Sequence, residues 1–238
     1  MNNILIKVLK NPRLIALQIL NLKISSIIPD RHYLKIKYRI IVGKRLNLSE
    51  PVLFNEKLQW LKLYDRNPVY TELVDKFKVR NYIAQRIGDK YLIPLIGVYD
   101  SYDDIDFDLL PNQFVLKPNH TSGNVYICMD KNQINHEQLR REVNSWLKRN
   151  YFRFHREWPY KLVKRRIICE KYMVDESGLE LKDYKIFCFN GIPKMTQVDY
   201  SRFIDHKRNF YDQNWNIIPL TYKYPSNTSI RIDKPENY

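Results

Sequence analysis

The sequence predicts an α+β protein in which helices come first and an antiparallel sheet follows. Two observations lead to this prediction. Apolar residues recur at helical spacing before residue 90 and again over 137–149, whereas strand-like runs separated by turns fill much of 166–199. The length of 238 residues is enough for one large domain or two small ones.

The composition excludes several classes of protein. Six glycines are too few and too scattered for a dinucleotide fingerprint or a P-loop. The three cysteines have no CxxC spacing, which excludes a cysteine zinc site and a disulfide framework and favours a reducing cytoplasm. A net charge of +14 indicates an anionic partner.

Residues 1–48 are predicted to be a basic amphipathic helical arm, separate from a domain at 49–238. Residues 1–45 hold ten basic side chains and one acid, and their helical pattern breaks near Pro12. Their interrupted apolar runs predict neither a membrane span nor a cleavable signal. Two interpretations stay open: a helix packed on the domain, or an arm at an anionic membrane, peripheral at its inner face.

The domain begins with helices. Asn55 is a candidate N-cap for a helix that ends near Tyr64, and Thr71 for a longer one that Gly88 ends. An extended run follows at 91–99. The five aspartates between 100 and 108 alternate with apolar residues, so we interpret them as a solvent-facing cap and not as a catalytic cluster.

Strands are predicted at 114–117 and 125–128, and a helix at 137–149. The basic, aromatic stretch 149–166 has the composition of a single-stranded nucleic-acid binder, but half-buried arginine stems are the favoured interpretation, so nucleic acid is not the expected partner. Further strands follow at 166–173, 184–189 and 192–199, the last two joined by an Asn190-Gly191 hairpin turn. Trp215 is placed in a strand.

Four charged residues lie at a predicted strand or helix edge, where a side chain would face a ligand. They are Lys76, Lys117, Glu170 and Lys185. Lys117 ends the run FVLK, and burying its ammonium group requires an anion. The polar loop His120-Thr121-Ser122-Gly123 follows, and its backbone N–H groups are suited to phosphate oxygens. Together these residues predict a phosphate-binding site.

The motifs resemble one known family. They are FNEKLQWLKLYDRNP from Phe54, DK at 75–76, FVLKPNHTSG at 114–123, IICEKYM at 167–173 and DYKIFCFNG at 183–191. The chain from Phe54 to KPEN is similar to the TupA-like branch of the ATP-grasp superfamily, which is associated with teichuronopeptide and surface-polysaccharide biosynthesis. The resemblance implies two α+β subdomains around a nucleotide cleft, with an incomplete C-terminal part here.

The resemblance also implies roles for individual residues. Lys76 and Lys117 would bind the phosphates, and Ser122 and Gly123 would belong to a flap over them. Glu170 would hold the adenine or ribose side, with the backbone of Lys171 and Tyr172 at the adenine edge. Lys185, beside Asp183, would face the γ phosphate and the acyl acceptor as the catalytic pair.

The implied activity is that of an ATP-dependent carboxylate-amine ligase that works through an acylphosphate, with ATP and Mg²⁺ as cofactors. The implied partners are a glycan or glycolipid acceptor and an amino acid. The magnesium ligands stay unassigned: Asp199 and the Asp212-Gln213-Asn214 triplet are substitutes, and we interpret the triplet first as a turn. The expectation is therefore a shortened member with impaired catalysis.

Two other functions stay open. One is a glycosyltransferase of the same pathway, for which a DxD occurs at 106–108 but without a convincing strand before it. The other is a basic protein without catalysis that binds nucleic acid or a membrane surface.

Overall fold

The computed structural model describes residues 12–175, 178, 180–202 and 204–236. The chain divides into two compact units between Tyr172 and Met173. The first combines helices with an antiparallel sheet, and a second antiparallel sheet lies in the other unit. The predicted α+β class is therefore confirmed.

The described part of the first unit contains five helices, then three strands, two further helices and a fourth strand. They are α1 (Pro12–Leu20), α2 (Asp30–Val42), α3 (Phe54–Tyr64), α4 (Val69–Val74), α5 (Val79–Ile87), β1 (Leu95–Tyr99), β2 (Phe114–Pro118), β3 (Tyr126–Cys128), α6 (His136–Lys148), α7 (Tyr151–His155) and β4 (Ile167–Lys171). Short 3-10 turns cover Lys23–Ile27, Asp89–Tyr91, Lys131–Gln133 and Trp158–Leu162.

The sheet of the first unit has the strand order β1-β4-β2-β3, with every neighbouring pair antiparallel. Side chains of β2 alternate between faces, so Phe114 and Leu116 are buried in the core. Helix α6 covers that core with Leu139, Val143 and Trp146, the stripe that the sequence predicts. The other face of β2, which carries Lys117, stays available for the site.

Helices α1 and α2 form a small core of their own around Tyr33, Leu34 and Leu20. They also contact the segment around α7: the Tyr33 hydroxyl donates to the Phe154 carbonyl at 3.2 Å, and Arg156 donates to the Ser25 carbonyl at 2.7 Å. The part of the predicted helix before Pro12 lies outside the described residues. None of the helices in the described ranges is long and apolar enough to cross a membrane.

The second unit is a meander of four strands in its described part. They are β5 (Asp183–Phe189), β6 (Ile192–Tyr200), β7 (Lys207–Tyr211) and β8 (Ile217–Ile218), paired in that order. The β5–β6 turn is confirmed, because Asn190 and Gly191 have φ angles of 52° and 78°. The strand predicted at Trp215 is wrong: Trp215 has φ 67° and lies in the turn before β8.

Three details of the helix predictions are wrong. Thr71 is not an N-cap, because α4 begins at Val69 and Thr71 lies inside it. Asn55 is not the N-cap of α3, because Leu53 holds that position and the Glu56 carboxylate accepts the Leu53 N–H at 3.0 Å. The single helix predicted from Thr71 is two helices, since Asp75 turns the chain out of α4 with ψ 109°. Gly88 does end α5, as predicted.

A buried hydrogen-bond cluster holds the chain at this break. The Asp75 carboxylate accepts the Phe77 N–H at 2.9 Å and a side-chain N–H of Asn119 at 2.9 Å. Asn119 is fully buried; its amide also donates to the Lys164 carbonyl at 2.8 Å and accepts the Arg166 N–H at 2.8 Å. Because these partners are far apart in the sequence, the amide joins the helix break to two strand ends.

We expect Asn119→Ala to lower the free energy of unfolding by about 3 kcal/mol, because it removes one hydrogen bond from the buried Asp75 carboxylate and the side-chain partner of both the Arg166 N–H and the Lys164 carbonyl. Urea unfolding followed by circular dichroism measures the loss. The control is Asn112→Ala, which removes an exposed side chain that accepts one hydrogen bond, from the Lys131 N–H, and should change stability by less than about 1 kcal/mol. Equal losses in the two variants would contradict the anchoring role.

Candidate functional site

Lys117 and Glu170 lie on the face of the sheet that is turned away from the core. Strands β2 and β4 pair Val115 with Glu170 and Lys117 with Ile168, so these side chains share one face. The Lys117 ammonium group forms an ion pair with Glu170 Oε2, and the Glu170 side chain is only 7% exposed. Two residues that the sequence predicts for one site are thus adjacent.

Arg80 is a second cation on the same carboxylate. From the first turn of α5 its guanidinium reaches Glu170 Oε1 at 3.4 Å and donates to the Ile93 carbonyl at 2.6 Å. Helical periodicity places Arg80 only on a polar face, so the sequence predicts no role for it. The one available signal is its spacing four residues after Lys76.

Lys76 lies in the break between α4 and α5, next to the buried Asp75. Its ammonium group donates to the Pro118 carbonyl at 3.1 Å and to the Thr121 carbonyl, so it lies at the end of β2. Burial first, and then the nearby charge of Lys117, lower the pKa of Lys76 from 10.5 to about 8. A lowered lysine pKa means that the local surroundings do not fully compensate the positive charge.

The loop after β2 has a buried base and an exposed tip. Asn119, His120 and Thr121 are buried, whereas Ser122 and Gly123 are exposed. The His120 ring donates through Nε2 to the Arg149 carbonyl at 3.1 Å, and burial lowers its pKa to about 4, so it is neutral at pH 7. Gly123 has φ 82°, a backbone conformation that favours glycine at the tip.

Lys171 and Tyr172 lie where β4 ends. The Lys171 N–H donates to the Pro94 carbonyl at 3.0 Å, and its side chain is exposed. Tyr172 is half-buried and is the last residue of the first unit. The first unit therefore contains all the predicted nucleotide-binding residues: Lys76, Lys117, Ser122, Gly123, Glu170, Lys171 and Tyr172.

The predicted catalytic pair lies in the second unit. Asp183 and Asp199 face each other across β5 and β6, and the Lys185 ammonium forms ion pairs with both, the one to Asp199 at 3.3 Å. Arg202 also approaches Asp183, at 3.5 Å. Lys185 is thus held between two carboxylates.

Asp199 is the buried centre of this cluster. Arg208 donates to it from Nε at 2.7 Å and from Nη2 at 3.1 Å, His206 from Nε2 at 2.9 Å, and Gln197 at 2.6 Å. Burial alone would raise the pKa of Asp199, but these hydrogen bonds hold that pKa well below its usual value. Sequence reasoning missed Arg208 and His206, because no strand was predicted for β7.

The carboxylates considered as metal ligands have other partners. Asp212 Oδ1 accepts the N–H groups of Asn214 and Asn216, both at 2.8 Å, which supports the interpretation of this triplet as a turn. Within the described ranges, no group of three or more His, Cys, Asp or Glu side chains is arranged to hold a metal ion. The magnesium ligands therefore stay unassigned among the described residues.

In the first unit, Arg80 and Lys117 pair with the Glu170 carboxylate, and Lys76 lies beside the buried Asp75 carboxylate and near Lys117, next to a loop with an exposed tip. The fold is that of an α+β protein, and these side chains give one face of its first sheet an excess of positive charge. The sequence model of the TupA-like ATPgrasp family matches residues 56–238. The chain therefore belongs to this family, which points to an ATP-grasp ligase-type role.

Comparisons of the chain with curated proteins and with solved structures gave no match.

Proposed function

We propose that the first unit binds the phosphates of ATP through Lys76 and Lys117. The observation that carries this proposal is the local excess of positive charge: three cations, Lys76, Arg80 and Lys117, are accompanied by two carboxylates, Glu170 and Asp75. ATP carries about four negative charges, so it would supply the missing anions. The exposed Ser122-Gly123 tip would then lie over the phosphates, with backbone N–H groups as further donors.

The lowered pKa of Lys76 supports the same ligand. A bound phosphate would favour the protonated form of Lys76 and offset the unfavourable contributions of burial and of Lys117. In this proposal the two carboxylate oxygens of Glu170 orient Lys117 and Arg80. Glu170 would also contact the adenine or ribose side of ATP, as the family resemblance implies. The backbone at Lys171 and Tyr172 would contact the adenine edge.

We further propose that the protein is a carboxylate-amine ligase of surface-polysaccharide biosynthesis. A carboxylate oxygen of the glycan or glycolipid acceptor attacks the γ phosphorus, the bond to the β-phosphate oxygen breaks, and ADP leaves. The amine of an amino acid then attacks the acyl carbon and loses a proton, and inorganic phosphate leaves as the amide forms. The chain contributes positioning and positive charge in the first step.

Lys185 and Asp183 are the proposed catalytic pair. Lys185 would neutralise charge at the γ phosphate, and Asp183 would orient the Lys185 ammonium through the ion pair between them. Asp199, fixed by Arg208 and His206, would keep Lys185 in place from the other side. Magnesium would accompany ATP as its counter-ion, and no step is assigned to it because its protein ligands are unassigned. We propose the cytoplasm as the location, where ATP is available and the three thiols stay reduced.

The first test is a thermal shift with ATP and magnesium. At about a hundred times its Kd, ATP should stabilise the wild type by about 2.7 kcal/mol, which raises Tm by roughly 5 to 10 °C. Lys117→Ala and Glu170→Ala should reduce this increase to less than about 2 °C. Lys148→Ala, which removes an exposed lysine at the end of α6, should retain the full increase. The proposal fails if ATP leaves the wild type unchanged or if a nucleotide sugar raises Tm more than ATP does.

The second test is the pH dependence of ATP affinity. Since the pKa of Lys76 is about 8 in the free protein, this lysine is charged at pH 7 and mostly neutral at pH 9. ATP should therefore bind about tenfold more weakly at pH 9, because binding must restore the proton. Isothermal titration calorimetry measures both the Kd and the proton uptake.

Lys76→Gln is the matched variant for this measurement. It should bind ATP more weakly at pH 7 and should lose the additional weakening at pH 9, because the titrating group is gone. The same pH dependence in wild type and Lys76→Gln would show that another group titrates and would exclude Lys76 as the phosphate ligand.

The third test addresses the reaction. With ATP, magnesium and hydroxylamine, a panel of uronic-acid oligosaccharides should yield a hydroxamate and an equal amount of ADP, because hydroxylamine traps an acylphosphate. Lys185→Ala should reduce the yield by about 10²-fold or more while leaving ATP affinity within about threefold of wild type. A protein that binds ATP and forms no hydroxamate with any member of the panel would retain the nucleotide proposal and refute the ligase proposal.

A further inference from the structure

Helices α1 and α2 and the segment that joins them expose several large aliphatic side chains. Seven of them between residues 12 and 48 are more than a third exposed: Leu14, Ile19, Leu22, Ile27, Ile36, Ile41 and Val42. Ile27 is 78% exposed and Ile19 is 59% exposed. Single exposed residues of this kind are ordinary, but Ile36 also lines a groove between α1 and α2, where apolar side chains lie together.

A groove runs between the two helices. It has a volume of about 370 Å³ and is lined by Pro12 and Ala16 of α1 and by Ile36 and Ile40 of α2, with the basic side chains of Arg13 and Arg39 in the same lining. The groove is therefore apolar and also carries two guanidinium groups. An amphiphile with an anionic head and an aliphatic body has the matching chemistry.

The charge of the surrounding surface has one sign. Between residues 12 and 48 there are eight basic residues and a single acid, Asp30, and Asp30 pairs with Arg156 at 3.4 Å. Lys37 is half-buried and donates to the Phe154 carbonyl. Six of the basic side chains are exposed: Arg13, Arg31, Lys35, Arg39, Lys44 and Arg45.

We propose that this surface, the α1–α2 face, binds the surface of an anionic phospholipid membrane. The lipid phosphates contact Arg13 and Arg39, and the aliphatic side chains of the groove contact the upper parts of the acyl chains. The proposal concerns a different surface from the candidate nucleotide site and does not depend on ATP binding.

The composition of the face favours a membrane over the two other anionic or apolar partners. Single-stranded nucleic acid needs exposed rings for stacking, and the two aromatic residues between 12 and 48, Tyr33 and Tyr38, are both buried. A second copy of this chain would bring the same positive charge against itself, which opposes association. Aliphatic side chains surrounded by cations match an anionic lipid surface best.

The test is co-sedimentation of the full chain with phosphatidylcholine vesicles that contain about 30 mol% phosphatidylglycerol. Wild type should bind these vesicles at low salt and bind them much more weakly in about 0.5 M salt. It should not bind vesicles of phosphatidylcholine alone. The double variant Arg13→Gln with Arg39→Gln should bind about 25-fold more weakly, because each lost charge near the surface weakens binding about fivefold.

Two further variants separate the face from overall charge and from folding. The double variant Lys90→Gln with Lys148→Gln removes the same charge from exposed positions outside the face and should weaken binding by less than about twofold. Ile36→Asn keeps the charge and should also weaken vesicle binding, whereas its thermal unfolding should match wild type within a few degrees, since Ile36 is 44% exposed.

Three results would overturn the proposal. One is equal loss of binding in the two double variants, which would make the effect one of net charge. Another is failure of wild type to bind anionic vesicles at low salt. The third concerns the Arg13 and Arg39 variant: its vesicle binding is unchanged, but its sedimentation-equilibrium mass or its oligonucleotide affinity changes. That result would assign the face to self-association or to nucleic acid.

Discussion

The fully buried side-chain amide of Asn119 is the contact on which the candidate site of the first unit depends. It joins the Asp75 carboxylate at the α4–α5 break to the backbone at Arg166, just before β4. Each charged residue of the site lies a few positions from one of these points: Lys76 follows Asp75, Lys117 precedes Asn119, and Glu170 follows Arg166. One amide therefore fixes the relative positions of three chain segments that are remote in sequence.

The elements that sequence could predict are those whose signal is local. The Asn190-Gly191 turn and the α6 stripe need only neighbouring residues, and both are confirmed. The break after α4 could not be found in this way, because a polar Asp75 also fits the exposed face of one long helix. At the break the Asp75 carboxylate accepts the N–H groups of Phe77 and Lys78 and a side-chain N–H of Asn119, which lies 44 residues further along the chain. Local periodicity carries no information about such a partner.

The same distinction applies to the site. Lys117 could be found because an ammonium group at the end of an apolar strand needs an anion, which is a property of a single residue in its run. Its partner Glu170 could be proposed as a site residue, but the ion pair follows only from the β2–β4 register. Arg80 and Arg208 were missed because their carboxylate partners lie on other elements. Which charged side chains form ion pairs with each other is determined by the fold, whereas the residue types can be read from the sequence.

The positive charge of the chain belongs to two environments that suit different anions. Lys76 is largely withdrawn from water and has a lowered pKa, so it stabilises best a compact, highly charged group that replaces its lost hydration. Arg13 and Arg39 are exposed beside aliphatic side chains, where each charge stays hydrated and contributes little alone. Such charges act together over an extended anionic surface and weaken as salt increases. The net charge of the chain therefore consists of at least two sets of cations, for which we propose a nucleotide and a membrane as the respective partners.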